Sequence, residues 1–207
     1  MLKVWGRTTS SNVQKAMWAV MELGLEHERF DIGGDFGKNR EPAYLNMNPN
    51  GLVPTLQDGD FILWESNSII RYLARREAAG KLEGANPKMT ALANQWMDWQ
   101  LSVLGPAITP AFWGLIRTPE EKRDLAAIAA SQSKTTEAMK ILDAQLKKTD
   151  YVAGEQFTMG DIPVGVMTYR YWQLVPQRPE LPNLKRWYES LQKRKAFKDA
   201  VEAVPLT

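Results

Sequence analysis

A proline standing between a turn and a β-hairpin limits what this chain can become more than any other feature. Residues 50–66, Asn-Gly-Leu-Val-Pro-Thr-Leu-Gln-Asp-Gly-Asp-Phe-Ile-Leu-Trp-Glu-Ser, open on the turn pair Asn50-Gly51. Pro54 then separates the apolar pair Leu52-Val53 from the strand-like run Thr55–Gln57. Proline has no N–H to give to a sheet ladder, so a strand entered through it belongs at an edge, a bulge or a turn. A cis Val53–Pro54 bond, a state almost confined to X-Pro peptides, would turn the amide and carbonyl of Val53 out of the sheet toward a cleft. Asp58-Gly59-Asp60 reads as a tight turn between Thr55–Gln57 and Phe61–Leu63. Ser66 is placed to cap a helix with Ile69, Ile70 and Leu73 on one face. The unit therefore offers a peptide group, the Glu65 carboxylate, a hydroxyl and the partly positive start of a helix. Those groups could hold a small peptide-like molecule by its main chain and its terminal charges. The plainer reading of the same spacing is an ordinary hairpin leading into a helix.

Upstream, Leu2–Trp5 is a short apolar strand closed by Gly6 and followed by the polar loop Arg7-Thr8-Thr9-Ser10-Ser11-Asn12. Val13, Ala16, Met17, Val20 and Met21 then recur with helical period until Gly24. Glu28–Ile32 reads as a second strand, parallel to the first through the intervening helix. Residues 33–42 read as loop with Lys38-Asn39-Arg40 at its tip. The order is βαβ, loop, ββα.

With 44% apolar and 24% charged residues the composition is that of an ordinary globular protein. The net charge of +2 argues against a dedicated nucleic-acid binder. No run is long and apolar enough for a membrane span, and the first residues lack a signal-peptide layout, so no membrane partner and a cytoplasmic protein are expected. The absence of cysteine removes disulfides, thiolate-bound metal and Cys-Xaa-Xaa-Cys chemistry. The single histidine, His27, sits between Glu26 and Glu28 and reads as a solvated turn residue, so neither an imidazole-based triad nor a metal site is expected.

The stretch from Gly80 to Pro87 breaks into Gly, Asn and Pro and suggests a boundary: residues 1–80, a linker at 81–88, and an all-helical unit at 89–207. Met89 to Leu104 forms an amphipathic run expected to end near Gly105-Pro106. Thr118-Pro119-Glu120-Glu121 reads as a helix start. Positions 125, 128, 132, 135, 139, 142 and 146 step by three and four. Thr158 and Asp161 form a capping-box-like pair, with Phe157 and Ile162 able to pack across it, ahead of a largely apolar helix. Pro182 and residues 194–197 bracket two final short helices. The interrupted aromatic stretch 105–115 makes Phe112 and Trp113 candidates for an acceptor pocket, although either taken singly reads rather as core.

Asn-Pro-Asn-Gly-Leu-Val-Pro-Thr-Leu (48–56), followed by Glu65-Ser66-Asn67-Ser68-Ile69-Ile70, resembles the glutathione-binding segment of the glutathione S-transferases. The pair around Thr158 resembles the capping motif of the buried helix in the same family, so the resemblance runs through the whole chain. It implies a thioredoxin-like α/β N-terminal domain (βαβ-ββα) followed by an all-α helical-bundle domain. It also implies a homodimer and, beyond glutathione as co-substrate, no cofactor. Residues 6–15 are similar to the serine-type members, resembling phi- and theta-like bacterial enzymes, and put the catalytic serine on Ser10; Thr9, Ser11 and Asn12 remain alternatives. A hydroxyl donating to sulfur near a helix start favours the thiolate without a protein base. By the same resemblance Val53, ahead of Pro54, pairs its main chain with the cysteinyl residue. Glu65 takes the γ-glutamyl ammonium and Ser66 its carboxylate, while Asn39 and Arg40 align with the glycyl-carboxylate site. The implied reaction is attack of the thiolate on a small hydrophobic electrophile. The rivals are a non-catalytic glutathione-binding or protein-interaction module of this fold, and a glutathione-dependent isomerase or peroxidase. Asp161 is expected to serve folding only.

Overall fold

The computed structural model describes residues 1–77 and 82–207. Gly80 and Lys81, at which the sequence suggests a boundary, lie outside the described residues. Strands β1 (Leu2–Trp5), β2 (His27–Phe30), β3 (Thr55–Asp58) and β4 (Phe61–Trp64) form one sheet in the order β2-β1-β3-β4. β1 and β2 are parallel, joined through helix α1 (Ser11–Glu22), while β3 runs antiparallel to both β1 and β4. This is the thioredoxin-like order. Asp58 pairs with Phe61, which leaves Gly59-Asp60 as a two-residue turn, and the +59° φ of Gly59 is what such a turn demands. His27 opens β2 rather than sitting in a turn, with its Nδ1 2.9 Å from the Leu25 carbonyl. The segment read as loop holds a 3-10 turn (Gly34–Phe36) and, after Glu41, the short helix α2 (Pro42–Leu45), which starts on the proline.

Helix α1 buries the expected apolar positions Val13, Ala16, Met17 and Val20, but also Gln14, Lys15 and Trp18. It is enclosed on two sides, by helix α3 (Ser66–Arg76) and by helices of the second half of the chain. Glu22 at its end accepts from Arg194 at 2.7 Å, and the Arg194 guanidinium in turn stacks 3.7 Å above Phe157.

The second half is helical: α4 (Pro87–Trp99), α5 (Gly105–Phe112), α6 (Leu125–Leu146), α7 (Asp161–Leu174), α8 (Pro182–Gln192) and α9 (Lys195–Phe197). The Asn86 side chain caps α4, accepting from the amides of Lys88 and Met89. Gly105-Pro106 does not end the run. The chain continues through a π-helical turn at Gln100–Leu104 into α5, and through a second at Trp113–Arg117. Pro106 and Pro110 each lack an N–H and crowd the preceding turn, and wider turns accommodate both defects. The Ser131 hydroxyl enters the same ladder, donating to the Ala107 carbonyl at 2.5 Å and accepting from the Ala111 amide at 3.0 Å.

Thr118-Pro119 begins only a 3-10 turn (Glu120–Lys122); α6 starts later, after Asp124, whose carboxylate caps the Ala127 amide. Its buried stripe uses Ser131 rather than Gln132, and Leu125 is exposed. α7 is the central helix. Asp161, at its first turn, accepts from the amides of Val152 and Thr158, from the Thr158 hydroxyl and from Trp187 Nε1. Burial raises its pKa to about 6 against the pull of those hydrogen bonds.

Candidate functional site

The Val53–Pro54 peptide is cis, and Val53 precedes β3 at the edge of a cleft. Among the described residues its amide and carbonyl take no hydrogen bond. The peptide before it is held firmly. Tyr44 Oη and Asn48 Nδ2 both donate to the Leu52 carbonyl, at 2.7 and 2.8 Å, and both reach the Thr55 hydroxyl. All three side chains are buried, and burial pushes the Tyr44 phenol above its ordinary pKa. Gly6 lets the β1 loop approach: a Cβ there would stand 2.4 Å from the Val13 side chain and 3.1 Å from that of Val53.

Ser10 occupies the N-cap position of α1 with its side chain half-buried, yet its hydroxyl makes no capping bond. Its backbone is engaged instead, donating to the Arg7 carbonyl and accepting from the Gln14 amide. The hydroxyls of Thr9 and Ser11 are likewise without a partner among the described residues, whereas Asn12 Oδ1 accepts from the Ser66 hydroxyl at 3.3 Å. That bond brings the β1 loop to the start of α3.

Ser66 is the first residue of α3 rather than its cap. The N-cap is Glu65, at φ +71° and ψ +111°, a region that residues with a Cβ rarely occupy. The Glu65 carboxylate is exposed and makes no ion pair or hydrogen bond among the described residues. On the opposite side, Asn39 Nδ2 donates to the Gly51 carbonyl at 2.7 Å, and the exposed Arg40 donates to that of Asn50 at 3.3 Å. Both therefore brace the turn that leads to Val53. Phe112 is buried, while Trp113, in edge-to-face contact with it, is 58% exposed.

Several residues that reading the sequence passed over shape this region. Lys15 is fully buried and donates to Gln100 Oε1 at 2.9 Å and to Asn67 Oδ1 at 3.4 Å, while Asn67 Nδ2 donates to the Met97 carbonyl. Burial lowers the Lys15 pKa to about 7; Glu65 opposes the shift and Arg170 adds to it. Arg170 is buried close enough to Arg7 and Arg117 to be acted on by both charges. A lone charged residue in an amphipathic helix reads as its solvated face, so only the closeness of the two halves could have revealed Lys15 and Arg170. For Tyr44 and Asn48, Pro42 as a helix start and the turn at Asn50 were usable signals.

Residues 1–75 match the family described as "Glutathione S-transferase, N-terminal domain", and residues 126–190 that described as "Glutathione S-transferase, C-terminal domain". The chain is 41% identical over 203 residues to Glutathione S-transferase GstB of Escherichia coli, covering 97% of this chain and 98% of that protein. It is similar to the theta class glutathione S-transferase of Xanthomonas axonopodis pv. citri with glutathione bound, at a TM-score of 0.94 and 45% identity over 100% and 99% of the two chains. Glutathione transferase F7 of Populus trichocarpa superposes at a TM-score of 0.87 with 26% identity, over 99% and 100% of the chains. With both halves matched and relatives spanning nearly its full length, the chain belongs to the glutathione S-transferase family.

Proposed function

We propose that the protein is a glutathione transferase. The observation that carries this reading is a ring of polar groups without partners among the described residues: the Val53 peptide, the Glu65 carboxylate on a strained backbone, and the Ser10 hydroxyl at a helix start. Val53 pairs its amide and carbonyl with the cysteinyl residue, as one strand edge with another. Glu65 receives the γ-glutamyl ammonium, and the Ser66 hydroxyl and the N-terminal amides of α3 receive the carboxylate beside it. Asn39 and Arg40 hold the glycyl carboxylate.

The sulfur then lies at Ser10, whose hydroxyl donates to it. An unperturbed thiol has a pKa near 8.5, and each unit removed corresponds to about 1.4 kcal/mol. The proton leaves to solvent, and the thiolate attacks a hydrophobic electrophile held against Phe112 and Trp113, by displacement or addition. No protein base is required.

The same reading divides the chain at the Gly/Asn/Pro segment before α4 and makes the protein a cytoplasmic homodimer serving detoxification. For self-association, β4 is an edge strand carrying the exposed Phe61 and Trp64. No helix among the described residues is long and apolar enough to cross a membrane.

Calorimetric titration with glutathione tests the donor half. Wild type should release heat with one site per chain, and Glu65→Ala should bind about tenfold or more weakly, the loss of one charge-assisted contact. Equal affinity in the two proteins would remove Glu65 from the site, and no heat in wild type would end the reading.

A further inference from the structure

Three arginines meet where the acceptor would enter. The Arg170 guanidinium lies 4.2 Å from the Phe112 ring centroid and that of Arg117 5.8 Å from the same centroid, so the two charges share one aromatic platform. Arg7 approaches from the β1 loop: a Cβ on Gly33 would come within 3.3 Å of its Nη1 and 3.4 Å of the Val53 side chain. Arg7 thus lies beside Val53 and close enough to Arg117 for the two charges to repel. Neither Arg7 nor Arg170 forms an ion pair among the described residues.

Arg170 is 7% exposed, and its Nε is buried with no hydrogen-bond partner among the described residues. Burial, and then repulsion from Arg117 and Arg7, lower its pKa to about 10, so it stays charged at neutral pH. The groups facing the cluster do not include a carboxylate paired with Arg170 among the described residues. Asp35 acts on Arg7 and the Tyr169 phenol on Arg170, while Lys15 adds a further nearby amine. Arg117, exposed to solvent, donates to the terminal main-chain oxygen of Thr207 at 2.7 Å, which leaves the buried Arg170 as the cation least compensated. A buried, unpaired cation is costly, and a hydrophobic acceptor alone would give nothing back.

We infer that the electrophile carries a carboxylate, which docks on Arg117 and Arg170 over the Phe112 ring and leaves its reactive carbon toward Arg7 and the sulfur. This rests on the transferase reading and narrows its acceptor from an apolar molecule to an apolar acid. The fork of a guanidinium suits a planar two-oxygen anion.

The test uses a matched pair, 4-chloro-3-nitrobenzoate and 4-chloro-3-nitrobenzamide. In each, the thiolate sulfur bonds to the ring carbon that loses chloride. kcat/KM divided by the uncatalysed rate constant should be about tenfold or more larger for the benzoate, the worth of one charge-assisted pairing. That preference should shrink as salt is raised. Arg117 is exposed, so Arg117→Gln should fold and should cut the preference about tenfold, with Arg117→Lys retaining part of it. A second readout needs no turnover: S-(4-carboxy-2-nitrophenyl)glutathione should bind about tenfold or more tightly than its carboxamide. Equal treatment of the two acids and amides, with glutathione still bound, overturns the acidic acceptor and leaves the transferase standing. Absence of glutathione binding overturns both.

Discussion

Lys15 is the residue whose placement contributes most that its type alone does not suggest. It lies in the middle of α1, wholly buried, and ties that helix to Asn67 of α3 and to Gln100 in the π turn after α4. Its pKa is about 7 in the folded chain against an ordinary 10.5, because burial disfavours the ammonium. The unfolded chain therefore keeps a proton that the folded chain gives up between these values, and stability rises with pH across that window. Denaturant unfolding at pH 7 and at pH 9 should show the wild type gaining about 1–2 kcal/mol more than Lys15→Met over this interval. Parallel pH profiles would mean that the amine is charged in the folded state throughout. Glu65, by contrast, was legible from its neighbours: the run from Glu65 to Ile70 fixes its place, though not the positive φ that aims it. Backbone strain of that kind leaves no mark on side-chain pattern, and Ser66 reads as the cap because its type suits one.

Among elements, strands and their order were legible because Pro54, the Asp-Gly turn and the period of two leave few alternatives. The helical half was legible in character and less so at its joints, and α5 was read as an interrupted aromatic stretch. Gly105-Pro106 has the chemistry of a helix end, and the chain passes through it because π turns and the Ser131 hydroxyl satisfy what the prolines leave open. The start of α7 departs from a simple capping box: Gly160 holds the N-cap position and its amide donates to the Thr158 hydroxyl, while the Asp161 carboxylate accepts from the Thr158 amide and hydroxyl and also fastens Val152 and Trp187. Asp161→Ala would strand two buried amides and an indole N–H. It should cost about 3 kcal/mol or more, read as a lower denaturation midpoint, while glutathione affinity of the folded protein is retained. A loss of affinity without loss of stability would assign Asp161 to the site instead.

At the scale of the molecule, the site exists only because two unlike halves close on each other. In the proposed reading the first half supplies Ser10, Val53 and Glu65, and the second supplies Phe112, Arg117 and Arg170. The motifs of the first half resemble a known glutathione-binding segment, so the proposed ligand was legible in the sequence by resemblance. The arginines of the second come from a helix and a turn far apart in sequence, and no spacing announces that they meet. The same closure encloses α1 and explains why a residue such as Trp18, buried to the last atom, sits on the face a two-sided helix would expose. The proposed dimer belongs to this scale as well: sedimentation of the intact chain should give about twice the 23.5 kDa chain mass, and a monomer would contradict it.

The central claim is that a side-chain hydroxyl at the start of α1 ionises glutathione seated on Val53. The ultraviolet absorbance of the thiolate, followed against pH in the saturated complex, measures this directly. Wild type should titrate well below free glutathione, and Ser10→Ala should titrate about one pKa unit or more higher with little change in affinity. A titration that does not move in Ser10→Ala, or a bound thiol in wild type no more acidic than the free one, would contradict the claim.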